Sequence, residues 1–123
     1  MEKSVSVLIV DDEPSVAKTV NFILEAEGFE TQVVFSGEEC LKLIEEKSFD
    51  LVLLDIMMPK MNGWQVFDEI HKRHPDQKVA FLTVIKYSNT VVGKLEKEGL
   101  AGYINKPFEN EDLVNRVKMI TSR

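Results

Sequence analysis

A single cysteine, Cys40, leaves no partner for an internal disulfide in a chain of 123 residues. Its place in the apolar pattern Cys40, Leu41, Ile44 reads as a small buried hydrophobe and not as a nucleophile. Glycine and proline are also sparse, at 6 and 4 residues, which excludes a collagen-like or low-complexity chain. No apolar run approaches the roughly 20 residues of a membrane span, and no basic stretch leads into an apolar one at the start. A cytoplasmic location without membrane contact is therefore expected. Clustered Lys/Arg tracts are missing as well, and the net charge is -6. That balance disfavours a grip on phosphate backbones, so no direct nucleic-acid partner is expected. What is present is the composition of an ordinary globular protein, 44% hydrophobic and 29% charged. The length suits one domain spanning residues 1–123, able to bury about two thirds of its unfolded surface.

Apolar runs with the character of buried strands recur at 5–10, 51–54 and 79–82, with shorter candidates at 31–35 and 102–104. Helical patterns lie between them. Val16, Val20, Ile23 and Leu24 share one face, as do Val66, Phe67 and Ile70, and then Leu113, Val117 and Ile120. Pro14 suits a first helical turn, Gly28 a helix stop, and Ser36 with Glu39 reads as a capping box. The stretch 88–97 is a weak helix former because of Val91, Val92 and Gly93. Strands apolar on both faces, alternating with helices, imply an α/β domain: a parallel sheet with helices on both faces. For five strands the expected solution is a doubly wound, flavodoxin-like (βα)5 fold of order 2-1-3-4-5. Ligands of such folds sit at the C-terminal strand ends, at the switch point between strands 1 and 3.

Chemistry clusters where that rule points. Asp11 and Asp12 follow the first strand directly, and Asp55 follows the third. Three converging carboxylates call for a cation, and an all-oxygen set favours magnesium, with manganese as substitute. Thr83 and Lys106 end the fourth and fifth strands, and a hydroxyl and an ammonium both suit a phosphoryl group. In-line attack by Asp55 on a phosphoryl donor would give an aspartyl phosphate. Each residue also has a plain alternative: Asp12 as an N-cap, Asp55 as a loop starter, Thr83 as a strand former, Lys106 as solvated charge. Their joint placement at four strand ends favours the site. His71 and His74 lack a third ligand and read as a solvated face, Trp64 as a half-buried packing residue, and Asn62 with Gly63 as turn geometry.

The strings Val10-Asp11-Asp12-Glu13-Pro14, Leu54-Asp55-Ile56-Met57-Met58-Pro59-Lys60-Met61-Asn62-Gly63, Leu82-Thr83 and Tyr103-Ile104-Asn105-Lys106-Pro107-Phe108 resemble the receiver domains of two-component response regulators. The resemblance runs end to end. It implies that Asp55 accepts a phosphoryl group from a histidine kinase, a phosphotransfer protein or a small phosphodonor. It further implies that Asp11, Asp12, Asp55 and the backbone carbonyl of Met57 hold the magnesium, and that Thr83 and Lys106 contact the phosphoryl group. By the same resemblance Thr83 couples to Tyr103, whose ring turns inward and reshapes the surface of the fourth helix, fifth strand and fifth helix. That surface would serve an output partner or a weak dimer, and Lys106-Pro107 would be a cis peptide. The domain would be a switch and not a turnover enzyme.

Two departures from the family pattern matter. Val84 stands where a small residue is usual, and together with the apolar Met57 and Ile85 it implies slow phosphoryl exchange. Leu100-Ala101-Gly102 lacks the acidic pair of receivers that dimerise by salt bridges, which argues against a winged-helix parent. Two other readings share parts of the pattern. A flavodoxin-like FMN carrier would need a phosphate-binding loop where Asp11-Asp12-Glu13 stands, and that acidic loop repels phosphate. A phosphatase working through an aspartyl phosphate would need a second acid at Met57.

Overall fold

The computed structural model describes residues 4–123. Five strands and five helices alternate: β1 (Ser6–Val10), α1 (Pro14–Ala26), β2 (Glu30–Val34), α2 (Gly37–Glu46), β3 (Leu51–Leu54), α3 (Gly63–Arg73), β4 (Val79–Thr83), α4 (Asn89–Lys97), β5 (Gly102–Asn105) and α5 (Asn110–Thr121). The strands form one parallel sheet of order β2-β1-β3-β4-β5, as the alternating pattern predicts. No helix among the described residues is long and apolar enough to cross a membrane.

The two-residue period of the strands divides the core into two layers. Leu8, Val10, Val52, Leu54, Val79 and Phe81 face the helices α2 and α3 with Val66, Phe67 and Ile70. Their neighbours Val7, Ile9, Leu51, Leu53, Ala80 and Leu82 face α1 and α5 with Val20, Leu24, Leu113 and Val117. The central strands β1, β3 and β4 are almost wholly apolar because both faces are covered, whereas the edge strand β2 is largely half-buried and carries Glu30, Thr31 and Gln32. Helix α1 differs from its predicted face in one respect: Ala17 is fully buried while Val16 is half-buried. The small side chain at 17 lets the helix approach the sheet, and Val16 turns toward the C-terminal end of the strands, beside Lys106 and Phe108.

Local signals account for most helix ends. Pro14 opens α1, and Gly28 beyond its C-terminus takes φ +93°, which glycine adopts at no steric cost. At α2 the Ser36 hydroxyl accepts from the Glu39 N–H at 3.1 Å, while the Glu39 carboxylate reaches the Phe35 N–H at 3.3 Å. This capping box closes one residue earlier than the usual pattern. Helix α4 does form despite its β-branched residues, with Ser88 accepting from the Val91 N–H. Leu95 is its buried residue, whereas α2, α3 and α5 each bury several. It is therefore the most lightly packed of the helices. Cys40 is fully buried and burial pushes its thiol up to about 12, which leaves it inert at neutral pH.

Candidate functional site

The C-terminal ends of β1 and β3 lie side by side, with Val10 paired to Leu54. The next residues therefore converge: carboxylate oxygens of Asp11, Asp12 and Asp55 lie within 4.8 Å of one another. Asp11 and Asp55 are buried, and Asp12 is half-buried toward the opening. From β5, Lys106 extends its ammonium to Asp11 Oδ2 at 2.8 Å and Asp55 Oδ2 at 3.5 Å. The other Asp11 oxygen accepts from the Glu13 N–H at 3.0 Å, so this carboxylate also braces the entry to α1, where Glu13 supplies no side-chain cap. Glu13, not Asp12, occupies the N-cap position, which leaves the Asp12 carboxylate available to the cluster.

Burial raises the Asp55 carboxyl above its ordinary value. The Lys106 ammonium pulls it back, the Asp11 charge pushes it further up, and hydrogen bonds from the Met57 N–H and the Thr83 hydroxyl lower it. With all groups ionised, three carboxylates against one ammonium leave two negative charges. That excess and the all-oxygen donor set fit a hard divalent cation. Thr83, at the end of β4, is completely buried, and its hydroxyl oxygen accepts from the Ile85 N–H at 3.4 Å. The Met57 N–H donates to Asp55 Oδ1 at 3.3 Å, while the Met57 side chain stands in solvent. Val84, next to Thr83 in the chain, is likewise exposed.

Two residues near Asp55 have roles that their sequence did not reveal. Asn62 caps α3 in a reciprocal box with Gln65, at 2.9 and 3.0 Å. Gly63 is not a turn glycine: it is the first residue of α3, and a Cβ there would lie 2.4 Å from the Asp55 main-chain oxygen and 2.6 Å from the Ile56 Cα. The backbone of α3 is thus pressed directly against the loop that carries Asp55. Gly63→Ala is expected to cost about 1–3 kcal/mol through forced displacement of that loop. Urea unfolding measures it, and an unchanged midpoint would contradict the close approach.

Tyr103 points inward. Its ring is 6% exposed and its hydroxyl donates to the Ile85 carbonyl at 2.5 Å. Burial, and then the neighbouring Tyr87, push its phenol up to about 12. The ring continues an aromatic chain through Phe81, Tyr87 and Trp64, so Trp64 is a packing residue, half-buried as its sequence position suggested. His74 pairs with Glu45 at 3.0 Å, and His71 packs by Phe67 and Gly99. Neither histidine belongs to the acidic cluster. The Lys106-Pro107 peptide is cis.

By architecture this is a doubly wound α/β domain with an acidic, lysine-braced site at its topological switch point. Comparison with known proteins is specific. The response regulator receiver domain model matches residues 7–118, and the chain belongs to that family, the receiver domains of two-component systems. The DNA-binding response regulator MtrA of Mycolicibacterium smegmatis is 38% identical over 113 residues, 91% of this chain and 48% of the relative. The chain spans about half the length of the curated relatives it matches. Those relatives are named as a transcriptional regulatory protein and a DNA-binding response regulator. Among solved structures, a CheY-like receiver domain protein from Methanospirillum hungatei superposes with TM-score 0.87 and 32% identity, covering 98% of this chain and 95% of its own. The response regulator TrrA from Thermotoga maritima, solved with Mg(2+)-BeF, gives TM-score 0.81 and 34% identity, covering 94% of this chain and 98% of its own.

Proposed function

We propose that this receiver domain, residues 1–123, is switched by phosphorylation of Asp55. The observation that carries the reading is the Asp55 carboxylate itself: buried, raised in pKa, and faced by Lys106, Thr83 and the two neighbouring carboxylates. An Asp55 carboxylate oxygen attacks the phosphorus of a phosphohistidine or small acyl phosphate. A new oxygen–phosphorus bond forms as the bond to the leaving group breaks, and the leaving group departs with the electron pair. Lys106 offsets the added charge, and the Thr83 hydroxyl donates to a phosphoryl oxygen. Asp11, Asp12, Asp55 and the Met57 carbonyl are the residues that would hold magnesium, with manganese as substitute. When bound, the ion supplies Lewis-acid neutralisation of phosphoryl oxygens. A relative solved with Mg(2+)-BeF supports that assignment.

The partners that fit are a histidine kinase or phosphotransfer protein on the input side and an output domain or protein meeting α4, β5 and α5. A cytoplasmic setting follows from that pairing. Self-phosphorylation from small donors and self-dephosphorylation are the catalysis this reading includes. Neither Met57 nor Ile85 carries a group to orient a hydrolytic water, and Val84 stands beside the attack path, so the phosphoform is long-lived. Val84→Ala is expected to raise both the phosphorylation and the dephosphorylation rate several-fold in acetyl phosphate assays. Unchanged rates in both directions would remove Val84 from the account. The acceptor assignment is tested by intact-mass analysis after incubation with acetyl phosphate and magnesium.

A further inference from the structure

Strand β5 ends on Asn105, a residue outside the set assigned above. In the pairing of β4 with β5 it stands opposite Thr83. Its side-chain amide nitrogen donates to two main-chain carbonyls, Ile85 at 2.7 Å and Thr83 at 3.2 Å. A primary amide has two N–H groups, and both are used. Each carbonyl also takes a second donor: the Tyr103 hydroxyl at Ile85, and the Lys106 N–H at Thr83, 2.9 Å away. The two carbonyls that flank Val84 therefore have both acceptor sites filled from the end of β5.

Packing locates this segment only at Ile85 and Tyr87, which lie against the core. Val84, Lys86 and Ser88 are exposed, and Ile85 and Tyr87 are half-buried. Between Thr83 and Ile85 the main chain is tied from outside by the Asn105 amide and from within by the Ile85 N–H, which donates to the Thr83 hydroxyl at 3.4 Å. At one end of that stretch lies the buried side chain of Thr83, on the strand next to the one that Asp55 follows. At the other lies the carbonyl that receives the Tyr103 hydroxyl. A hydroxyl keeps an inward rotamer only while its acceptor stays in reach, and Asn105 holds the acceptor. All of these bonds join protein atoms, so the arrangement does not depend on a phosphoryl group to draw Thr83 inward.

We propose that Asn105 is a positioning residue that, through its two carbonyl bonds, holds Thr83 against Asp55 and Tyr103 in its inward rotamer in the unphosphorylated chain. The conformational part stands on the bonds alone, and the effect on phosphorylation rests on the reading of Asp55 as acceptor. The switch is then largely preset, and a small phosphodonor meets a site already arranged.

The test compares the 123-residue chain with Asn105→Ala and Asn105→Asp, the latter keeping the shape of the side chain without its N–H donors. In the unphosphorylated chain, NMR should show nuclear Overhauser contacts between the Tyr103 ring and Ile85, and both variants should lose them. The initial rate of phosphorylation by acetyl phosphate with magnesium should fall about fivefold, the scale of one neutral hydrogen bond. Retention of the ring contacts and of the rate in both variants overturns the proposal. So does an Asn105→Asp chain that behaves as the parent, because shape alone would then suffice. If Asn105→Ala fails to fold, Asn105→Asp decides. Absence of any phosphoryl adduct on the parent chain counts against Asp55 as acceptor, while the ring contacts still decide the clamp.

Discussion

Exchanging Lys106 for methionine is expected to destabilise the domain by about 3 kcal/mol at neutral pH in the absence of divalent cations. The Lys106 side chain is 14% exposed, and its partners Asp11 and Asp55 are 5% and 10% exposed. Methionine keeps most of the stem, so the loss is one of charge: two buried carboxylates are left facing each other without their counter-ion. For a chain of this size the cost corresponds to roughly 10 °C in Tm. It should shrink in acid, where protonated carboxyls no longer need the ammonium, and shrink again with magnesium. The rate of phosphorylation by acetyl phosphate should fall about 100-fold, the usual worth of one preorganised donor at a reacting oxyanion. Thermal melts across pH, with and without magnesium, measure the first effect. A deficit that stays constant across those conditions would mean that Lys106 acts through packing.

Asp55→Asn should move stability the other way. A carboxyl whose folded-state pKa is raised favours the fold while protonated, and that contribution is lost as pH rises through the raised value. The Asp55 carboxyl is raised from 3.8, chiefly by burial, so its ionised form is a cost at pH 7. Asparagine removes the cost. The variant should therefore melt above the parent at pH 7 without magnesium, and the difference should vanish below pH 3.8. Magnesium should reverse the order. At 100 times its dissociation constant it should stabilise the parent by about 2.7 kcal/mol, again roughly 10 °C. The variant, which keeps two of the three carboxylates, should gain far less. Calorimetry with and without the ion reads both effects, and equal magnesium shifts in parent and variant would remove Asp55 from the cation site.

The central strands β1, β3 and β4 were legible because both of their faces are covered, so each reads as a nearly unbroken apolar run. The acidic site was legible for a related reason: Asp11 and Asp55 directly follow such runs, and parallel pairing brings the strand ends together. Lys106 and Thr83 could be placed by the same rule. What stayed hidden depends on approach distances between segments far apart in sequence. Gly63 looked like turn punctuation, yet it is needed because α3 packs directly on the Asp55 carbonyl. Asn105 carried no signal of its own in the sequence, since nothing local says where the carbonyls of Thr83 and Ile85 will lie. Val16 and Ala17 flank the buried arc of α1 on opposite edges, and only the way α1 sits against the sheet chooses between them. Ser36 and Glu39 announced the capping of α2, whereas the equivalent pair at α3, Asn62 and Gln65, lay within a loop read for its turn residues.

The central claim is that Asp55 accepts the phosphoryl group, and intact-mass spectrometry after incubation with acetyl phosphate and magnesium tests it most directly. The account predicts one added phosphoryl mass on the parent chain, dependent on the metal and absent from Asp55→Asn. An adduct that persists on Asp55→Asn would contradict it, as would an unmodified parent under every donor tried.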